Sequence, residues 1–145
     1  MYRTIVVGTD CSPTAEVAVM RAAELAVLTG ARLLLVSAYQ ESASALAAMA
    51  GASPFGHEWP ESAVQEQRGR VEATATRLRA AGLEVDVRVE VGGAAETLVG
   101  AAEAVGADLL VVGDRGLKGI RGLLGSVPSR VSHRARLDIL VVHTT

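Results

Sequence analysis

The sequence predicts an α/β protein built on a single doubly wound, five-stranded parallel sheet with helices on both faces. Three observations favour this class. Apolar runs of strand length alternate with helical segments four times, and a final strand follows. Half of the 145 residues are hydrophobic, which is enough for a continuous core in one domain spanning residues 1–145. Glycine-containing turns follow the first and fourth strands, where such a sheet reverses its winding.

The first strand is predicted over Arg3–Gly8, a β-branched run. Ser12 and Pro13 then begin a helix, because serine caps helix N-termini and proline fits the first helical position. The helix ends at Gly30. Four residues recur at the spacing that lines one helix face: Val17, Met20, Ala23 and Val27. Arg32–Tyr39 follows as a strand that is apolar on both faces, as an interior parallel strand requires.

The middle of the chain continues the alternation. The segment Gln40–Pro60 stays open, since its alanines favour a helical turn and its glycines and prolines favour a loop. Glu61–Ala81 is predicted as a helix with one apolar stripe, made of Val64, Val71, Ala75 and Leu78. Leu83–Val91 alternates strictly between apolar and polar residues, which predicts an edge strand. A third helix is predicted over Ala94–Val105.

The last third of the chain holds the fourth strand, Asp108–Gly113, a fourth helix, Ser126–Ala135, and the fifth strand, Leu137–His143. The fifth strand is apolar on successive residues. At a sheet edge such a strand invites pairing with another chain, so we predict a homodimer through Leu137–Val142. The alternative is an interior strand that helices cover on both faces.

The stretch from Gly113 to Ser126 is rich in glycine, which lets backbone amides approach a ligand closely. Successive amides ahead of a helix N-terminus form an anion site. Between Gly113 and Arg136, six basic residues stand against one acidic residue, although the chain as a whole carries −2. We therefore predict that this segment holds a nucleotide phosphate, with Gly8–Ser12 on the same rim; a solvated basic face is the alternative.

Other chemistries find little support. The sequence has no Walker A loop, no Gly-x-Gly-x-x-Gly after the first strand and no Gly-x-Ser-x-Gly. Its histidines lack the spacing of metal ligands. The single cysteine, Cys11, excludes an internal disulfide and fits a cytoplasmic protein. The charge balance and the absence of a long apolar stretch predict neither a nucleic-acid nor a membrane partner. Asp10 suits a ribose hydroxyl, an adenine amino group or a metal, or a turn that it caps itself.

Three stretches together resemble the universal stress protein family: Val6–Ser12, Ala107–Gly113, and the series Gly113, Gly116, Gly125-Ser126. The resemblance covers nearly the whole chain and implies the ATP-binding branch. It implies a regulator or sensor in the stress response that binds ATP or a related adenine nucleotide. The end of the chain, from Gly125 to Thr145, also resembles actinobacterial members that bind cyclic AMP. Dimerisation through the last strand is common in the family.

The resemblance also implies where the nucleotide lies. Thr9 and Asp10 would border the nucleoside, Asp10 would reach any Mg²⁺ that accompanies it, and the Ala38 backbone would meet the adenine. Gly113 and Gly116 would allow close approach of the ribose and the α-phosphate. The implied cofactor-binding residues are Thr9, Asp10, Ala38, Val112, Gly113, Arg115, Gly116, Gly125, Ser126 and Val127.

One feature departs from the family pattern. Eight residues, Leu117–Leu124, separate Gly116 from Gly125, where the family has nine. One residue fewer moves the following amides by up to ~3.5 Å, enough to re-aim a phosphate contact. A single phosphate, as in AMP or cyclic AMP, would suit the shorter loop, and a nucleotide-free dimeric interaction module is a further alternative. An adenylating enzyme is disfavoured, and we expect sensing rather than turnover, since no base accompanies the acids.

Overall fold

The computed structural model describes residues 1–39, 61–114 and 137–144. The described residues form five parallel strands and three helices, in the order β1 (Thr4–Gly8), α1 (Pro13–Thr29), β2 (Arg32–Tyr39), α2 (Glu61–Ala80), β3 (Val85–Val91), α3 (Ala94–Val105), β4 (Leu109–Gly113) and β5 (Asp138–Val142). Two predicted features, the segment Gln40–Pro60 and the helix Ser126–Ala135, lie outside the described residues. Every other predicted strand and helix is confirmed, with bounds that differ by at most two residues.

The sheet order is β3-β2-β1-β4-β5, with every pair parallel. β1 lies at the centre, where Val7 is opposite Leu35 of β2 and Val111 of β4. The chain winds outward from β1 to β3 and then returns to the other side of β1 for β4. The predicted doubly wound sheet is therefore confirmed, and its switch point lies between β1 and β4. The edge positions predicted for the third and fifth strands are also confirmed.

Two hydrophobic clusters sandwich the sheet. Because side chains alternate along a strand, Ile5 and Val7 point to the face that α1 and α2 cover, whereas Val6 points to the face that α3 covers. All three side chains are fully buried. The stripe predicted for α2 is confirmed, since Val71, Ala75 and Leu78 are buried and Val64 is partly buried against the same cluster. Among the described residues, no helix is both long enough and apolar enough to span a bilayer.

The face of α1 that packs on the sheet is not the one that the spacing of its larger apolar residues indicates. Of those four residues only Ala23 is buried, while the other three are 41–66% exposed: Val17, Met20 and Val27. The buried face consists mainly of alanines, namely Ala18, Val19, Ala22, Ala23 and Ala26. Small side chains let the helix approach β1 and β4 closely, so the larger side chains face outward.

Candidate functional site

A cleft of ≈ 240 Å³ opens at the carboxyl ends of β1 and β4. The N-terminal turns of α1 and α3, the end of β2 and the segment after β5 surround it. The described residues that line it are Gly8, Thr9, Asp10, Ser12, Thr14, Ala15, Val36, Ala38, Ala94, Leu98, Val112, Gly113 and Thr144. This is the position at which doubly wound sheets bind ligands.

The turn from Thr9 to Ser12 is held by its own short side chains. The Thr9 backbone N–H donates to the Val36 carbonyl at 2.9 Å, which joins the turn to β2. The Thr9 hydroxyl accepts the Cys11 N–H at 3.0 Å, and Asp10 Oδ1 accepts the Ser12 N–H at 2.9 Å. Cys11 adopts a φ of 64°, a conformation that non-glycine residues seldom take. These hydrogen bonds give the turn a defined shape.

Helix α1 begins at this turn with its N-terminus directed at the cleft. Ser12 is the N-cap, and its hydroxyl oxygen accepts the Ala15 N–H at 3.2 Å. Pro13 fills the first helical position, where its missing N–H costs nothing. The partial positive charge of a helix N-terminus favours a negative ligand group nearby. The predicted cap at Ser12 is confirmed.

The Asp10 carboxylate is ionised at neutral pH. Burial by itself raises the pKa of Asp10, but hydrogen bonds from Ser12 and the positive charge of Arg70 outweigh it, and the pKa lies below its usual value. Asp10 therefore performs the turn role expected of it, and it also lines the cleft. A carboxylate here suits neutral donors such as ribose hydroxyls and repels a phosphate placed directly against it.

Apolar side chains form much of the cleft wall. Val36 and Val112 are almost fully buried, and Leu98 of α3 packs in the same cluster. Gly8 makes this packing possible, because a Cβ at that position would lie 2.8 Å from Leu98 Cδ1. A flat apolar ring could lie against this wall, with polar groups of the turn at one side.

The other wall comes from the end of β5. Thr144 lines the cleft next to Gly113, and the Asp114 carboxylate accepts hydrogen bonds from both the backbone N–H and the hydroxyl of Thr144. The exposed His143 Nδ1 lies 3.1 Å from Asp114 Oδ2. The segment after β5 is therefore attached to the end of β4.

The surroundings of Cys11 favour an inert side chain rather than a reactive thiol. It is half-buried, and burial raises the pKa of its thiol, although Arg70 and the Thr9 hydroxyl act in the opposite direction. A thiol with a raised pKa holds little nucleophilic thiolate at neutral pH.

Five of the ten residues predicted to bind the nucleotide come together in the cleft: Thr9, Asp10, Ala38, Val112 and Gly113. The other five lie outside the described residues: Arg115, Gly116, Gly125, Ser126 and Val127. For Mg²⁺, the described residues hold no group of three or more His, Cys, Asp or Glu side chains arranged as metal ligands. A Mg²⁺ ion at Asp10 would need most of its oxygen ligands from phosphate and water.

Sequence reasoning missed several lining residues, among them Ala94, Leu98 and Thr144. Ala94 and Leu98 belong to the helix that crosses over to β4, so its N-terminal turn had to lie near the switch point. That topological signal was available in the predicted element order. Thr144 carried no signal, because its place depends on how the chain turns after β5.

Comparison with known proteins gives consistent matches over the full length of the chain. The model of the universal stress protein family matches residues 1–143. Universal stress protein Rv1636 of Mycobacterium tuberculosis is 39% identical over 158 residues, covering 99% of this chain and 98% of its own. A crystal structure of a universal stress protein in complex with cAMP is 33% identical, covers 99% of both chains and superposes with a TM-score of 0.67.

A second solved structure, that of protein MJ0577, superposes with a TM-score of 0.72 at 26% identity, covering 100% of this chain and 98% of the other. MJ0577 is a universal stress protein of Methanocaldococcus jannaschii. The likeness therefore extends over the whole α/β unit and is not restricted to the glycine-containing turns.

Proposed function

This chain belongs to the universal stress protein family, and on that premise we propose that it binds an adenine nucleotide in the cleft between β1 and β4. The observation that carries the proposal is the cleft itself. It joins an apolar wall, the ionised Asp10 and the N-terminus of α1 at the switch point of the sheet. The apolar wall suits a heteroaromatic ring, Asp10 suits the hydroxyls of a ribose, and the N-terminus of α1 suits an anionic group.

The proposed ligand is ATP or a related adenine nucleotide. The adenine would lie against the apolar wall near Ala38, and Thr9 and Asp10 would border the ribose. Gly113 and Gly116 would allow close approach of the ribose and the α-phosphate. Arg115, between these two glycines, would also contact the nucleotide. The outer phosphates would meet Gly125, Ser126 and Val127, and Mg²⁺ would accompany them near Asp10.

Cyclic AMP is the second candidate ligand, and two observations favour it. The structural relative at 33% identity is a complex with cAMP. The glycine series of this chain is also one residue shorter than the family pattern between Gly116 and Gly125, which suits one phosphate better than three. In either case we propose sensing or regulation in the stress response rather than turnover, because no base accompanies the two acids near this rim, Asp10 and Asp114, among the residues predicted to border the nucleotide.

Isothermal titration calorimetry tests the proposal. Nucleotide-stripped protein is titrated with ATP, AMP and cyclic AMP, and we expect saturable heat for at least one of them. Gly116→Val and Ser126→Ala should each weaken binding, whereas Gly100→Ala, on the far part of α3, is the control that should not. Heat for none of the three nucleotides would favour the nucleotide-free interaction module. Binding unchanged in both variants would show that the glycine segment from Gly113 to Ser126 is not the site.

We also propose a homodimer through the last strand, Leu137–Val142. Two observations support this dimer: β5 lies at the sheet edge, and its residue Val141 is 38% exposed.

The whole chain is proposed to form one domain, in keeping with the family match over residues 1–143. The cytoplasmic location remains a prediction, which fractionation of cells that produce the protein would test.

A further inference from the structure

The two residues after β5 fold back onto the end of β4. The Asp114 N–H donates to the Val142 carbonyl at 2.9 Å, which continues the pairing of the two strands past β4. Beyond that point a side chain takes over. Asp114 Oδ1 accepts the Thr144 N–H at 3.3 Å and also accepts the Thr144 hydroxyl. We call these two hydrogen bonds the Asp114–Thr144 latch.

The latch sets the orientation of the Thr144 side chain at the cleft. Its hydroxyl is directed to Asp114, so its methyl group lies over Gly113, where a Cβ would be 3.2 Å from Thr144 Cγ2. Thr144 and Gly113 both line the cleft. The wall on the β5 side is therefore a threonine methyl group whose position is fixed by a carboxylate outside the cleft lining.

We propose that Asp114 is a positioning residue for nucleotide binding, which acts by holding Thr144 as one wall of the cleft. The proposal rests on the nucleotide-binding function proposed above. It adds that the segment after β5 belongs to the binding site, although no residue of that segment was predicted to bind. A wall held in place before binding lowers the ordering cost that the ligand would otherwise meet.

The neighbouring contact between His143 and Asp114 contributes less to this positioning. The His143 side chain is 80% exposed, so water screens its attraction to Asp114 Oδ2. The Thr144 hydroxyl, by contrast, donates to a carboxylate in a half-buried setting, and hydrogen bonds to charged groups are the stronger kind. The test therefore concerns Thr144 and Asp114.

Four variants separate the latch from the methyl wall. Thr144→Val keeps the shape of the side chain and removes the hydroxyl donor, whereas Thr144→Ser keeps the donor and removes the methyl group. We expect Thr144→Val and Asp114→Ala each to bind the preferred nucleotide about five- to tenfold more weakly, and Thr144→Ser, which keeps the latch but loses the methyl wall, to bind about two- to threefold more weakly. The double variant Asp114→Ala/Thr144→Val should bind no more weakly than Asp114→Ala, because both changes remove the same interaction.

Tyr2→Phe is the matched control, because the Tyr2 hydroxyl donates to Asp138 at 2.9 Å and so tethers the opposite end of β5. It should leave the affinity unchanged. The proposal is overturned if Thr144→Val binds like wild type, if the two penalties add, or if Tyr2→Phe weakens binding as much as Thr144→Val. Failure of the wild type to bind any of the three nucleotides would instead overturn the proposed function, and this inference with it.

Discussion

At the residue scale, the absence of a side chain at Gly8 leaves room for Leu98 in the wall of the cleft. Gly8 ends β1, lines the cleft and stands against the side chain of Leu98. Leu98 is 93% buried in the cluster between α3 and the sheet, and it also lines the cleft. A group added to Gly8 therefore displaces a side chain of the cleft wall.

We predict that Gly8→Ala weakens nucleotide binding while costing about 1–3 kcal/mol of stability. The added Cβ would lie 2.8 Å from Leu98 Cδ1 and 2.9 Å from Cδ2, so the Leu98 side chain, which lines the cleft, must shift and change the shape of the cleft wall. Calorimetric titration and urea unfolding measure the two effects. Gly100→Ala in α3 is the control, since a Cβ there meets nothing within 4 Å. It should stabilise the helix by about 0.5–1 kcal/mol without altering the affinity.

At the scale of secondary-structure elements, Asp108 connects three strands, β1, β4 and β5, at the end of the sheet opposite the cleft. Its Oδ2 accepts the Arg3 N–H at 2.7 Å and the Thr4 N–H at 2.9 Å, where β1 begins. Its backbone carbonyl accepts the Asp138 N–H of β5 at 2.9 Å. The backbone hydrogen bonds from Arg3 and Thr4 lower the pKa of Asp108 despite partial burial.

A lowered carboxyl pKa in the folded state predicts a loss of stability in acid. The contribution is complete above the unfolded-state pKa of about 3.9 and is lost as the pH falls through the lower folded-state value. Asp108→Asn should therefore be less stable than wild type at pH 7, and the difference should shrink below about pH 4. Urea unfolding across this range measures it. Asp86→Asn, at an exposed position of β3, is the control; a pH-independent difference for Asp108→Asn would contradict the prediction.

The elements also show how far local sequence determines packing. Helix α1 begins and ends where its cap residues predict, with Ser12 at the N-cap and Gly30 in the left-handed conformation at the C-cap. Its buried face, however, consists mainly of alanines, while Val17, Met20 and Val27 face outward. Helix α2 follows the simpler rule, with its apolar stripe buried. Local signals thus predict where a helix lies along the chain better than which face it buries.

At the scale of the whole molecule, the two edges of the sheet differ in character. β3 alternates polar and apolar residues, with Asp86 and Glu90 exposed, and such charges discourage edge pairing. β5 presents a shorter, apolar edge with Val141 exposed. This contrast is the physical basis for proposing β5 rather than β3 as the dimer interface.

We predict that Val141→Lys converts a dimer into monomers, because it buries an unpaired charge at the proposed interface. Val91→Lys is the matched control at the opposite edge, where Val91 is 41% exposed and Val141 is 38% exposed. Sedimentation velocity distinguishes the two states. A sedimentation coefficient that neither variant alters would exclude β5 as the interface, and an effect of Val91→Lys alone would assign the interface to β3.

Sequence patterns predict the order of the described elements, the caps of α1, the edge character of β3 and the location of the switch point. These follow from periodicity, capping and crossover rules, which act over short stretches of chain. The resemblance to the universal stress protein family, rather than these patterns, indicated five of the residues that meet in the cleft: Thr9, Asp10, Ala38, Val112 and Gly113.

Three features are visible only in the assembled structure: which face of α1 is buried, that Leu98 packs against Gly8, and that Thr144 lines the cleft while hydrogen-bonded to Asp114. Each of these joins residues far apart in the sequence: 90 positions separate Gly8 from Leu98, and the latch spans 30. Such contacts depend on side-chain volume and on the direction in which a strand ends. No local pattern encodes either property, and for that reason the assembled sheet had to be known before the wall formed by Thr144 could be found.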